Sequence, residues 1–277
     1  MVLTLEKPVE FPDKILVRKT ALITGASAGF GVEFARLFAQ HRNDVILTAR
    51  RGDRLSELAA SLESKYKINA HVIVADLAAT DGARKLFAQV REKRLEVEYL
   101  INNAGFGTFG EFAETNCEES MDLVRVNVAA ITELTALFLP AMVTRGSGRV
   151  LNVASAAAFQ PGPMMATYFA SKAYALHFSE ALNEELEGKG VSVTALCPGP
   201  VRTEFQQVAG METSGLVAKK RLISIEEVVE AGYEAMMQGK AFVIPGFGTR
   251  LLSFGVRFMP RRFVAKFVHR MQADRAP

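Results

Sequence analysis

Cysteine is scarce in this chain of 277 residues. Only Cys117 and Cys197 are present, which is too few for a disulfide framework, and neither belongs to a cluster with metal-ligand spacing. Such low cysteine use is typical of proteins from a reducing compartment. We therefore expect two ordinary buried thiols and no metal centre.

Long uninterrupted apolar runs are also missing. Residues 1–20 mix apolar and charged side chains, so they lack the apolar core of a secretory signal peptide. The longest apolar stretch, 126–143, contains Asn127, Glu133 and Pro140, and it predicts a buried helix rather than a membrane span. We expect a cytoplasmic protein that is not exported by a Sec-type signal.

Internal repeats and flexible linkers are absent as well, and 49% hydrophobic residues can fill one large core. From Lys19 onward, short β-branched runs alternate with longer amphipathic segments, a pattern typical of βαβ units in a parallel sheet. The predicted strands are 20–24, 44–49, 70–75, 99–102, 149–154, 191–197 and 241–244. The predicted helices are 31–40, 53–66, 80–94, 118–143, 167–186 and 225–237. We predict one α/β domain over 19–245, an N-terminal extension over 1–18 and a basic C-terminal extension over 246–277.

A glycine-rich turn, Gly25 to Gly31, connects the first predicted strand directly to a helix. Glycines allow a tight turn and let backbone N–H groups approach a pyrophosphate at the positive end of that helix. The glycine spacing differs from the G-x-G-x-x-G fingerprint, but strand, turn and helix in this order favour a dinucleotide site.

The second predicted strand ends without an acidic residue. An acid at this position suits the free 2′-hydroxyl of NAD, whereas arginine accommodates the 2′-phosphate of NADP. Arg50 and Arg51 occupy the strand end and favour NADP(H) over NAD(H), unless both are solvated loop cations. Asp53 is expected to be the N-cap of the next helix.

The fourth predicted strand ends in Asn102-Asn103-Ala104-Gly105. In an open α/β sheet, the carboxyl end of a central strand is where a ligand binds. Asparagine and glycine suit a simple turn equally well, so both readings stay open.

Tyr168 and Lys172 lie four residues apart on a predicted helix and share one face. An ammonium at roughly 4 Å supplies about 4 kcal/mol, enough to lower a phenol pKa by about three units. Ser155, at the end of the preceding strand, adds a third polar group. The Tyr/Lys spacing alone also arises by chance, so the other motifs must decide.

Together these motifs resemble the short-chain dehydrogenase/reductase family over residues 19 to about 205. The matching elements are TGASAGFG, Asp76-Leu77, NNAG, Asn127, Ser155, Tyr168-x-x-x-Lys172 and the run from Pro198 to Thr203. The resemblance implies a single doubly wound Rossmann-type domain. It makes Tyr168 the general acid/base, with Lys172 lowering its pKa and holding the nicotinamide ribose. Ser155 would bond the substrate oxygen, and Asn127 would position a water relay.

The resemblance also implies the residues that contact the cofactor, here NADP(H). They are Gly25, Ser27, Ala28, Gly29, Phe30, Gly31, Arg50, Arg51, Asp76, Leu77, Asn103, Ala104, Gly105, Tyr168, Lys172, Pro198, Gly199, Val201 and Thr203. Many NADP-dependent members have a basic residue just before the second glycine, where this chain has Ala28. Recognition of the 2′-phosphate would then depend on Arg50 and Arg51.

The expected function is hydride transfer between NADP(H) and a carbonyl/secondary alcohol pair, with an apolar substrate. The alternative is a non-catalytic protein on the same fold, either a nucleotide-binding regulator or a membrane-associated interaction protein, although a non-catalytic protein has no chemical need for all four residues of the site. The family commonly forms homodimers or homotetramers through the helices that begin near Glu118 and Thr167. The substrate determinants are expected in loops 106–115 and 205–222.

The C-terminal extension carries an excess of positive charge. Residues 241–277 have seven Lys/Arg and one Asp/Glu, a net charge of +6, whereas residues 1–240 have a net charge of −3. Phe263, Val264, Phe267, Val268 and Met271 repeat at helical spacing among basic residues. Such a helix can contact an anionic membrane surface weakly, or pack on its own domain or on a second subunit. Nucleic acid is not expected as a partner, because no accompanying fold signature is present.

Overall fold

A parallel β-sheet forms the centre of the computed structural model, which describes residues 18–201 and 223–273. The sheet has seven strands in the order β3-β2-β1-β4-β5-β6-β7, and every neighbouring pair is parallel. The strands are β1 Thr20–Thr24, β2 Asp44–Ala49, β3 Ala70–Val74, β4 Val97–Asn102, β5 Gly148–Val153, β6 Val191–Leu196 and β7 Phe242–Val243. The predicted seven-stranded, doubly wound α/β fold is confirmed.

Helices cover both faces of this sheet. They are α1 Gly29–Gln40, α2 Gly52–Tyr66, α3 Gly82–Glu92, α4 Cys117–Val124, α5 Ile131–Arg145, α6 Ala166–Glu185, α7 Ile225–Met237, α8 Phe247–Gly255 and α9 Arg261–Ala273. Helices α1, α2 and α7 contribute to the core on one face, and α3 and α5 to the core on the other. Both faces are buried because the strands are nearly continuous apolar runs.

The strand order creates a crevice at the carboxyl edge of the sheet. The chain leaves β1 to build β2 and β3 on one side, then returns to place β4 on the other side of β1. Ligands of open α/β sheets bind at such a switch point. The loops that follow strands β1 to β6 all begin at this edge, and they carry many of the predicted site residues.

The predicted helix 118–143 is wrong in one respect, because it is not a regular α-helix throughout. A π-helical turn, Arg125–Ala130, separates α4 from α5. The continuous stretch Cys117–Arg145 is long and apolar enough to be a candidate membrane span, and 44% of its most apolar window is buried within the protein. Leu134, Phe138 and Met142 on α5 belong to the core.

The two cysteines differ in environment. Cys197, directly after β6, is buried, as expected. The prediction for Cys117 is wrong, because this thiol is exposed at the first residue of α4.

The C-terminal extension folds back onto the domain. Val264 and Val268 of α9 are buried in one cluster with Met165 and Phe169, which lie at and near the start of α6. Of the packing arrangements left open by the sequence, the structure has the one in which the helix packs on its own domain.

Candidate active site

The turn between β1 and α1 is shaped by close backbone approaches. Gly25 has φ +66°, and a Cβ added at Gly31 would lie 2.2 Å from the Gly25 carbonyl oxygen. The first turn of α1 has no acidic side chain, and Ala28 at its N-cap provides no side-chain acceptor. The positive end of the helix therefore remains suited to a phosphate, as predicted for this turn.

Thr24 and Asn103 connect this turn to the end of β4. The Asn103 side-chain amide donates to the Thr24 carbonyl at 2.8 Å, and the Thr24 hydroxyl accepts from the backbone N–H groups of Asn103 and Ala104, both at 2.9 Å. Asn103 thus braces the glycine-rich turn through its side chain. Sequence reasoning missed Thr24, because a threonine at the end of a strand gives no distinct signal.

Arg51 contacts the same turn. Its guanidinium donates to the Ser27 hydroxyl at 3.1 Å and to the Ser27 carbonyl oxygen at 3.3 Å. Arg50 beside it is exposed. The two guanidinium groups and Ser27 provide the donors that a 2′-phosphate needs. The prediction for Asp53 is wrong, since Arg51 occupies the N-cap position of α2 and Asp53 lies in its first turn.

The remaining predicted cofactor residues line the same edge. Asp76, after β3, is exposed and accepts from the Ala78 N–H at 3.0 Å, while Leu77 is buried. After β6, the Pro198 carbonyl accepts from the Ala156 N–H at 2.8 Å, which ties that loop to the Ser155 segment. Val201 is buried. Thr203 and all of the predicted substrate loop 205–222 lie outside the described residues.

Ser155 and Tyr168 meet through their hydroxyl groups. Ser155 is the N-cap of a short 3₁₀-helix, Ala156–Phe159, and its Oγ accepts from the Ala157 N–H at 3.1 Å. Burial raises the pKa of Tyr168 to about 12, although its hydrogen bond to Ser155 lowers it in part. The phenol consequently keeps its proton at neutral pH.

Lys172 lies beneath this pair, deep in the protein. Its ammonium donates to the Val153 carbonyl at 2.7 Å and lies 5.8 Å from the centroid of the Tyr168 ring. Burial lowers the pKa of Lys172 to about 8. Burial is the largest influence on Tyr168 and raises its pKa here, and the expected lowering of that pKa by Lys172 stays a prediction.

Asn127 is fully buried at the centre of the π-helical turn. Its amide nitrogen donates to the Phe106 carbonyl and the Ser171 hydroxyl, both at 3.0 Å, and its oxygen accepts from the Phe106 N–H at 3.2 Å. A Cβ at Gly105 would lie 3.0 Å from the Asn127 oxygen and 3.3 Å from the Lys172 Nζ. Gly105 thus allows the chain to pass between the two side chains. Ser171 was missed, because its role depends on this packing.

Two methionines border the site differently. Met164 has φ +67°, and its carbonyl accepts from the Gly110 N–H at 2.8 Å, joining the loops after β4 and β5. Met165 is buried under Val264 and Val268. The C-terminal extension is thereby in contact with the segment that leads into α6.

Comparisons with known proteins agree with this geometry. A model of the short chain dehydrogenase family matches residues 19–213. The ketoacyl reductase HetN of Nostoc sp. is 34% identical over 212 residues, 73% of this chain and 74% of HetN. A very-long-chain 3-oxoacyl-CoA reductase of Pyrenophora tritici-repentis is 36% identical over 226 residues, 80% of this chain and 66% of the relative.

Other matches differ in activity and length. The human inactive hydroxysteroid dehydrogenase-like protein 1 is 33% identical over 189 residues, 67% of this chain and 56% of that protein. The chain thus spans between about half and three quarters of these curated relatives. Among solved structures, a short-chain dehydrogenase from Sphingobium yanoikuyae in complex with NADPH has a TM-score of 0.78 and 32% identity, covering 87% of this chain and 94% of that one.

Proposed function

Since the chain belongs to the short-chain dehydrogenase/reductase family, an oxidoreductase family that also has a relative named as inactive, we propose that it is an NADP(H)-dependent reductase of an apolar ketone. The observation that carries the proposal is the convergence of Ser155, Tyr168, Lys172 and Asn127 at the switch-point crevice of the sheet. A regulator that only binds nucleotide needs none of this proton-transfer chemistry.

The residues at the crevice fit a dinucleotide. A side chain at Gly31 would collide with the Gly25 carbonyl, so glycine is what lets α1 approach the turn closely, and the α1 N-terminus would hold the charge of the pyrophosphate. Lys172 would hold the nicotinamide ribose. When bound, the nicotinamide supplies the hydride.

Tyr168 and Ser155 would act on the substrate oxygen. As a carbonyl carbon accepts hydride, negative charge develops on its oxygen, and two hydroxyl donors aimed there stabilise the transition state selectively. With a pKa near 12, Tyr168 enters the reaction protonated and can donate that proton to the new alkoxide. Lys172 and Asn127 lie behind it, where they would return a proton through water.

The substrate class proposed is a 3-oxoacyl thioester. The names of two relatives, a ketoacyl reductase and a 3-oxoacyl-CoA reductase, support it. An apolar cluster adjoining the site, which includes Phe109, Met165 and Phe169, suits the proximity of an acyl chain. The kcat/KM for 3-oxoacyl thioesters of increasing chain length should exceed that for short ketones. A preference for short polar ketones would refute this assignment.

Replacing Tyr168 with Phe tests the proton donor. The variant should lose at least about 10³-fold in kcat, because it removes the acid, while NADPH affinity stays within about twofold. Tyr174→Phe is the matched control, since its hydroxyl lies on the same helix but bonds Thr132 at 2.7 Å, away from the site. Full activity of Tyr168→Phe would end the assignment. Absence of turnover by the intact protein with either cofactor would favour the regulatory alternative.

Replacing Arg51 with Ala tests the cofactor preference. Loss of a charge-assisted contact to the 2′-phosphate is worth about 1.5–3 kcal/mol, so the Kd for NADPH should rise at least about tenfold while that for NADH is unchanged. Arg36→Ala, an exposed arginine paired with Glu33 on α1, is the control. Equal weakening of both cofactors would contradict the role of Arg51.

The proposed assembly is a homodimer or homotetramer in the cytoplasm, formed through the helices α4, α5 and α6. Light scattering coupled to size-exclusion chromatography would give its mass. A monomer at micromolar concentration would refute it.

A further inference from the structure

The C-terminal extension, residues 246–273, presents apolar side chains to solvent. Eleven large hydrophobic side chains are exposed in residues 18–201 and 223–273, and eight of them lie in this extension, each 48–80% exposed. They are Phe247, Leu251, Leu252, Phe254, Phe258, Met259, Phe263 and Phe267. Its five phenylalanines alone expose on the order of 500 Å², which equals the largest apolar patch of a typical monomer.

Helix α8 turns its apolar side chains toward solvent and its polar side chains toward the domain. Phe247, Leu251 and Phe254 follow i, i+4, i+7 spacing and share the outer face. The inner face carries Ser253, which is buried, and Thr249, whose Oγ1 lies 2.6 Å from the position of a Cβ at Gly199. A surface helix of a water-soluble domain normally turns its apolar face inward. The outer face of α8 is therefore built to meet something apolar.

Helix α9 repeats this arrangement on a smaller scale. The apolar residues that the sequence places on one face are divided between two sides in the structure. Val264 and Val268 are buried against the domain, whereas Phe263 and Phe267 are more than half exposed. Lys266 and Arg270 lie next to these two phenylalanines at i+3 spacing.

Positive charge surrounds this apolar surface. Residues 246–273 contain six Lys/Arg and no Asp/Glu, and all six cations are exposed. A second copy of the same surface would bring like charges together. An anionic lipid surface offers both of the complementary features, an apolar boundary for the phenylalanines and phosphates for the cations.

We propose that the C-terminal extension docks this protein on an anionic phospholipid surface. The phenylalanine and leucine side chains of α8 and α9 enter the headgroup boundary, and the basic side chains pair with lipid phosphates. Because α9 also packs on Met165 and Phe169 beside Tyr168, docking brings the entrance of the proposed active site to the membrane. An apolar substrate could then reach the site from the lipid.

Flotation of the intact protein with vesicles tests the docking. At 50 mM salt, vesicles containing about 30% phosphatidylserine should bind at least tenfold more tightly than pure phosphatidylcholine vesicles. Phe247→Ser/Phe254→Ser and Arg262→Glu/Lys266→Glu should each reduce this binding at least tenfold. The controls are Val74→Ser and Lys189→Glu, an exposed apolar residue and an exposed cation outside the extension, which should bind as the unmodified protein does.

Three results would overturn the proposal. These are no binding to anionic vesicles at low salt, equal binding to both vesicle types, and unchanged binding of the charge-reversal variant. A loss of oligomer mass in the serine variant together with no vesicle binding would instead assign the surface to contact between copies. The readout is independent of catalysis, so inactivity of the enzyme leaves this test intact.

Discussion

Burial of the Lys172 ammonium should be visible as a pH-dependent gain in stability. In the unfolded chain this lysine keeps its proton up to the ordinary pKa of 10.5, whereas the folded protein releases it at a pKa of about 8. Between these values the unfolded state binds one more proton than the folded state, so raising the pH favours folding. Lys172→Met removes the titrating group and keeps a side chain of similar length.

The magnitude follows from this difference in proton binding. Each pH unit within the window adds about 1.4 kcal/mol to the free energy of unfolding, so the rise from pH 8 to pH 9.5 gives about 2 kcal/mol. Below pH 8 the contribution is constant, because both states are protonated. Burial raises the pKa of Cys197 to about 12, which gives a slope of opposite sign above pH 9. Both proteins share this slope, but Lys172 itself lowers the pKa of Cys197, so the slope cancels in the difference only in part.

Urea unfolding of the unmodified protein and of Lys172→Met at pH 7.5, 8.5 and 9.5 measures the effect. The free energy of unfolding of the unmodified protein should rise relative to that of the variant by about 2 kcal/mol across this series. Lys189→Met, which removes an exposed lysine, should follow the unmodified protein. If the free energies of unfolding of the unmodified protein and of Lys172→Met change in parallel with pH, the lowered pKa of the Lys172 ammonium is refuted.

Two further predictions concern the turn after β1 and the opposite edge of the sheet. Gly31→Ala should lower the free energy of unfolding by about 1–3 kcal/mol and remove most of the NADPH affinity, because its Cβ collides with the Gly25 carbonyl. Gly248→Ala, where a Cβ meets open space, should instead stabilise α8 by about 0.5–1 kcal/mol. Equal shifts of the two melting temperatures would contradict this reasoning. Glu98→Gln should cost about 1–3 kcal/mol at pH 7 in urea unfolding, because the buried carboxylate accepts from Lys19 at 2.7 Å. Burial raises the pKa of Glu98, but the hydrogen bonds from Lys19 and Ser147 and the nearby cations outweigh it, so the pKa in the folded protein lies below the ordinary value of 4.5. The stabilisation is therefore present above pH 4.5 and is lost as the pH falls through the folded pKa. If Glu98→Gln loses stability at the same acidic pH and to the same extent as the unmodified protein, Glu98 is not the source of this pH dependence.

The sequence predicted the sheet well because its signals are local. The predicted β-branched runs coincide with the strands to within two residues at each end, including the short last strand, Phe242–Val243. The π-helical turn at Arg125–Ala130 could not be predicted, since those residues suit a regular helix equally well. Domain boundaries and the roles of the site residues stay predictions.

Properties that depend on three-dimensional packing could not be predicted from the sequence. The protonation of Tyr168 and Lys172 depends on how much water the folded chain removes from each, and spacing along a helix says nothing about that. The sequence also could not predict which side of α9 packs on the domain, because apolar residues lie on both sides of this helix. Asn103 was found by its motif, yet its contact with Thr24 joins segments 79 residues apart.

This contact between Thr24 and Asn103 has a consequence for folding. The turn after β1 is complete only when β4 has paired with β1, since the Asn103 amide and two backbone N–H groups from the end of β4 hold Thr24 in place. A nascent chain that ends before β4 therefore contains the glycines of the turn but lacks the hydrogen bonds from Asn103 and Ala104 that hold Thr24. A ligand that binds only the completed turn stabilises chains whose central strands have paired. A dinucleotide bound at this turn would thus favour the assembled sheet over partly folded chains.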